Sequence, residues 1–159
     1  MSVRVPPTVE LILEAIQRHL TARHVCTLAT SHEDTPWAAT CFYVARGVDL
    51  FVCQGKTART LANLLANPRG AFAVDDRQAE AWLQGLGLAA RVGAQDDRWA
   101  REQLRNVAPE FTHHFENPEQ PVLLLRVDEL TFADRPNGIY PRQHVVLHDG
   151  RWEFANAKR

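Results

Sequence analysis

The feature that most constrains this chain is a succession of short β-branched and apolar runs separated by little more than turn residues. His24–Thr30 reads as a strand, Ser31–Pro36 as turn material and Trp37–Val44 as the antiparallel return strand. Arg46-Gly47-Val48-Asp49 then turns the chain into Leu50–Cys53. Strands joined by connections this short pair with their sequence neighbours, so this part of the chain is a meander. Further on, Ala71–Val74, Ala81–Val92, Pro121–Val127 (extending towards Phe132) and His144–Leu147 read as strands, with a turn at Asp149-Gly150. Pro121–Val127 is apolar at nearly every position, as a buried strand should be. Gly85 and Gly87 interrupt a strand, where they imply either a bulge or a close backbone approach.

Helical signals are fewer. Pro6 and Pro7 precede Thr8, an N-cap for a helix over about 8–22 whose stripe is Val9, Ile12, Leu13, Ile16 and Leu20. Ala58, Leu61, Ala62, Leu64 and Leu65 mark a short helix stopped by Asn67-Pro68. Asp96-Asp97 are expected to cap a helix through Trp99, Ala100, Leu104 and Val107; Pro109 ends it, and Phe111–Phe115 makes a further turn. Strands and helices do not alternate, no Gly-x-Gly-x-x-Gly follows a strand, and no Walker loop occurs, which argues against a nucleotide-binding doubly wound fold. The expectation is a mainly β, α+β protein: a barrel over about 24–154 with peripheral helices, in one domain spanning 1–159.

The formal net charge of −1 gives no basic surface for nucleic acid, and no apolar run approaches the roughly 20 residues of a membrane-spanning helix. The start, Met1-Ser2-Val3-Arg4-Val5-Pro6-Pro7, lacks the apolar core of a secretory signal. Three cysteines, an odd number with no Cys-x-x-Cys pair, fit neither a disulfide framework nor a zinc knuckle. A cytoplasmic protein with reduced thiols, partnering neither nucleic acid nor membrane, is expected.

One stretch carries chemistry. Gln54-Gly55-Lys56-Thr57-Ala58-Arg59-Thr60-Leu61 places a glycine turn, two cations and two hydroxyls where a strand gives way to a helix. Helix starts expose unpaired N–H groups and the positive end of the dipole, and arginine grips phosphate oxygens with paired bonds. The stretch is a phosphate cradle, or else an ordinary helix start with Thr57 as cap and both cations in water; the residues alone leave both open.

Phe51–Val74, a strand, a Lys-Thr-Ala-Arg turn, a short helix ending Ala-Asn-Pro and another strand, resembles the centre of the pyridoxamine 5′-phosphate oxidase-like split barrels, in particular a small bacterial branch. The likeness runs from about His24 to Leu130 and implies a split β-barrel of Greek-key type. In that family a Ser/Thr followed two residues later by Lys/Arg holds the phosphate of FMN, and Thr57 and Arg59 match, with Lys56 beside them. A Gln followed three residues on by Gly is matched by Gln84 and Gly87, which implies that Gln84 meets the polar edge of the flavin. His24–Val44 is similar to the opening hairpin, so Ala39, Thr40 and Cys41 are the implied neighbours of the isoalloxazine ring. The resemblance implies a homodimer with flavin at the interface, hydride exchange at flavin N5, and a substrate or electron donor that it leaves unspecified. Asn137–His144 does not reproduce the Arg-Leu-His-Asp-Arg type segment of the vitamin B6 oxidases, so oxidation of pyridoxamine phosphate is not expected. The alternative function is a non-catalytic ligand- or haem-binding split-barrel dimer that does not use flavin.

Other residues carry blander expectations. Cys26, Cys41 and Cys53 read as small buried hydrophobes on neighbouring strands. His113-His114 and the pair His144 and His148 lack a third ligand at metal spacing, so no metal site is expected. Trp37, Trp82, Trp99 and Trp152 read as core or interface anchors, with Trp82 next to the Gln84 strand.

Overall fold

A computed structural model describes residues 6–155; Met1–Val5, part of the segment read above for a signal, lie outside them. The chain begins with α1 (Val9–Thr21), capped by Thr8, whose hydroxyl oxygen accepts from Leu11 N at 3.2 Å. Its stripe of Ile12, Ile16 and Leu20 is fully buried. Next come β1 (Val25–His32), β2 (Thr35–Phe42), β3 (Val44–Arg46) and β4 (Asp49–Cys53), then α2 (Arg59–Ala66). The meander is there, but the first turn is tighter than Ser31–Pro36. Only Glu33 and Asp34 turn, both at positive φ (48° and 59°), so pairing runs out to His32↔Thr35. Two-residue turns of this hand match strand twist, which lets the ladder continue to the tip.

The remaining elements are β5 (Arg69–Asp76), β6 (Ala81–Arg91), α3 (Ala94–Val107), a 3-10 turn (Pro109–Phe111), α4 (Thr112–Glu116), β7 (Val122–Asp134), β8 (Ile139–His148) and β9 (Arg151–Phe154). They form a nine-stranded sheet in the order β2-β1-β5-β6-β7-β4-β3, with β8 and β9 branching from β7. Strand β7 is where the barrel splits. Along one edge it pairs with β6; along the other, its first half pairs with β4 (Leu125↔Leu50) and its second with β8 (Leu130↔Val145).

Alternation along β4 and β7 serves two cores. Leu50, Val52, Leu123, Leu125 and Val127 fill the barrel with α1 and α2, whereas Phe51, Cys53, Val122 and Leu124 pack outward beneath α3 and α4. Burial on both faces explains the unbroken apolar run. Trp99 belongs to the outer core, edge-on to Phe51 with ring centroids 5.1 Å apart.

Two local expectations are corrected. Helix α3 is capped by Gly93, not by Asp96 or Asp97, which lie in its first turn and pair instead with Arg46 and Arg101. Helix α2 begins at Arg59 after an extended Ala58 with no side-chain cap, so Thr57 does not cap it. The chain is still turning there, closed by Ala58 N donating to Gly55 O at 2.9 Å. The glycines of β6 serve packing and curvature: the ladder to β7 shifts register between Leu86 and Gly87. A Cβ at Gly85 would overlap the Phe72 ring, and one at Gly87 would overlap the Arg126 carbonyl.

Candidate functional site

The basic turn sits at the rim of the barrel, where β4 ends. Its first residue, Gln54, is buried, and its N–H donates to Pro121 O at 2.9 Å. Lys56, Thr57 and Arg59 are exposed. Lys56 Nζ pairs with Glu119 Oε2 at 2.6 Å, and its backbone N–H donates to Gln120 Oε1. Arg59 has its guanidinium 4.7 Å from the centre of the Trp37 ring, a cation–π contact.

The wall opposite the turn is braced from below. Arg101 donates to Phe115 O (2.7 Å), Asn117 O (3.1 Å) and Gln120 O (2.8 Å), and its own orientation is fixed by Asp97 at 2.8 Å. His114 Nε2 donates to Cys53 O at 3.3 Å. Glu119, Gln120 and Arg101 were invisible to sequence reasoning as parts of this site. They lie over forty residues from the turn, and only the Asp97/Arg101 spacing hints at a helical ion pair.

Strand alternation divides the implied flavin neighbours. Cys41 faces inward: it lies opposite Cys26 in the β1/β2 ladder, and the two sulfurs are 3.5 Å apart. Ala39, two residues away, shares that face with Trp37 and therefore with the basic turn. Thr40 faces the other way. Its ladder row runs Thr40, Thr27, Ala73, Gln84, Thr131 across β2, β1, β5, β6 and β7. Three strand spacings separate Thr40 from Gln84, about 14 Å. On this outer face Gln84 borders a groove of about 320 Å³, lined largely by small and apolar side chains such as Ala29, Ala71 and Ala73. It also borders a more polar hollow of about 270 Å³ with Trp82, Tyr140 and Arg142. The structure thus brings Lys56, Thr57 and Arg59 together on one side with Ala39 and Cys41, and sets Gln84 and Thr40 on another.

The thiols differ in environment. The hydrogen bond between the two sulfurs holds the Cys41 thiol below its ordinary range and pushes that of Cys26 up, an effect burial of Cys26 adds to. Burial pushes Cys53 up to about 11. Among the described residues Gln54 Nε2 is fully buried without a hydrogen-bond partner.

A curled antiparallel sheet parted at β7, closed by an N-terminal helix and carrying a basic turn at the rim, defines a split β-barrel protein. The model of the pyridoxamine 5′-phosphate oxidase family matches residues 12–133, and the chain belongs to that family. No protein of curated function matches it in sequence. Among solved structures it is similar to a haem-binding protein from Mycobacterium smegmatis, with TM-score 0.73 and 23% identity over 89% of this chain and 59% of that one. The chain therefore spans less than two thirds of that relative's length. It is also similar to general stress protein 26 from Bacillus anthracis (TM-score 0.65, 16% identity, 76% of this chain and 92% of that one). A third likeness is to a FAD-binding protein from Mesorhizobium loti (TM-score 0.60, 19% identity, 76% and 90%). Among the described residues no helix is long and apolar enough to cross a membrane.

Proposed function

We propose that this protein binds FMN and acts as a flavin-dependent oxidoreductase, as a homodimer with the flavin at the subunit interface. The observation that carries the proposal is the basic turn: Lys56, Thr57 and Arg59 are exposed together at the rim of a barrel of this family. The residues fit a phosphate. Arg59 is held in place by a ring rather than a carboxylate, and the Thr57 hydroxyl is exposed. Lys56 meets a phosphate only by leaving Glu119. The similarity to a FAD-binding protein also supports flavin. Bound FMN would supply hydride exchange at its N5. The chain's own part is to anchor the phosphate at the turn, to flank the ring with Ala39 and Cys41, and to shut out water with the inner wall of β2.

The two-sided placement supports the dimer. One chain turns Gln84 and Thr40 away from the turn, so a flavin touching both sets lies between two copies. The outer groove, floored by alanines, suits close approach of a second surface. The location proposed is the cytoplasm, consistent with three free thiols. Neither nucleic acid nor membrane is a proposed partner, and the substrate or electron donor is a small molecule of unassigned class.

The test is an absorption spectrum of freshly purified protein, followed by FMN titration. A bound flavin spectrum, or saturable one-to-one quenching lost in Arg59→Glu, supports the proposal. Unchanged FMN affinity in Arg59→Glu removes the site assignment, and a concentration-independent monomer in sedimentation removes the dimer. Similarity to a haem-binding protein favours a second reading, a non-catalytic haem-handling barrel. It predicts no flavin uptake and a Soret band on adding haem.

A further inference from the structure

The hairpin of β1 and β2 places two cysteines directly across from each other. Residues opposite in an antiparallel ladder have Cα atoms about 4.5–5.5 Å apart, within the range a disulfide spans. Cys26 and Cys41 are such a pair, with sulfurs 3.5 Å apart and both thiols free. Cys26 is buried and Cys41 is partly exposed. Among the described residues strand β2 pairs only with β1, so small shifts of this edge can close the sulfur gap without breaking a second ladder.

We propose that Cys26 and Cys41 form a peroxide-responsive thiol pair, Cys41 being the attacking sulfur and Cys26 the resolving one. The Cys41 thiolate attacks a hydroperoxide oxygen; the O–O bond breaks, an S–O bond forms, and the departing hydroxide leaves as water after taking a proton. Cys26, giving up its proton, then attacks the Cys41 sulfenic sulfur; the S–S bond forms, the S–O bond breaks, and a second water leaves. In sum two thiols lose two electrons and two protons, and hydrogen peroxide becomes two waters. Cys53 is the internal comparison. It is buried in the outer core and lies on a different strand, with no sulfur partner in its ladder. The chemistry needs no flavin, so its failure would leave the cofactor proposal standing.

The experiment treats the purified full chain with hydrogen peroxide and reads it by intact mass and non-reducing peptide mapping. The expected product lacks two hydrogens, keeps one free thiol, Cys53, and carries a Cys26–Cys41 crosslink reversed by dithiothreitol. In Cys26→Ser, and in Cys26→Ala as a second packing variant, Cys41 should be trapped as a sulfenic acid that dimedone labels. Labelling of Cys41 should be at least about tenfold faster than that of Cys53, because Cys41 is partly exposed whereas Cys53 is buried in the outer core. Three free thiols persisting in the wild type after peroxide would overturn the proposal, as would dimedone labelling of Cys26 in Cys41→Ser at the rate of Cys41.

Discussion

The two faces of the sheet are built to different rules. The inner face is filled by α1 and α2, and most of what it buries is either apolar or tied down: His19 donates to Val74 O at 2.7 Å, and the Tyr43 hydroxyl to Leu20 O at 2.8 Å. The outer face divides. Beneath α3 it is a second core, while over β1, β5 and β6 it is a bare floor of alanine, threonine and Gln84. The basic turn is itself exposed, but the wall opposite it is braced by Arg101 from α3. Fixed geometry therefore backs the turn proposed to grip a phosphate, and open, small-residue surface lies where a second copy is proposed to approach the barrel.

Arg101→Ala should have the largest effect. It removes one donor from each of three carbonyls, those of Phe115, Asn117 and Gln120, and leaves Asp97 without its cation, at a cost of about 3 kcal/mol in urea unfolding. A loss under about 0.5 kcal/mol, the usual surface value, would mean that the wall is not braced from α3. Next is a paired test of the two faces. Gly85→Val drives a side chain into the Phe72 ring and should cost about 1–3 kcal/mol, whereas Ala73→Val in the neighbouring strand, facing out, should cost about 0.5 or less. Equal losses would erase the distinction between the faces.

Burial also sets a pH dependence. Burial holds the His19 pKa below its ordinary 6.5, so the unfolded chain binds the proton more readily. The contribution of neutral His19 is complete above pH 6.5 and is lost as pH falls from there towards its folded pKa, at no more than about 1.4 kcal/mol per pH unit. His19→Gln should flatten that slope between pH 7.5 and 5. An unchanged slope would assign it to other groups. The smallest stability effect is expected of Gln84→Ala, within about 0.5 kcal/mol of wild type. If the outer face meets flavin across a dimer, the same variant should weaken FMN binding by about tenfold, near 1.4 kcal/mol. Glu119→Gln should act oppositely, freeing Lys56 and tightening FMN severalfold.

Much of this protein is legible locally. The Thr8 cap, the α1 stripe, the hairpin order and the buried β7 follow from residue types read within a few positions, because propensity, capping and periodicity act over that range. The basic turn was legible for the same reason. Its partners were not: Lys56 meets Glu119 and Gln120 across 63 and 64 residues, and no local rule pairs them. Turn length mattered as well. Once the turn shrinks to Glu33-Asp34, the register puts Cys26 opposite Cys41, whereas the sequence indicated only neighbouring strands. The side of the sheet that each implied flavin neighbour faces was likewise fixed by that register, since strand side chains alternate and a slip of one residue exchanges the faces. Sequence by itself determined most of the elements, though not β9, and the family resemblance implied the kind of barrel they build. Tertiary structure alone decided which sulfurs meet, which carboxylate holds Lys56 and which way Gln84 points, because those depend on closing a sheet from strands far apart in the chain.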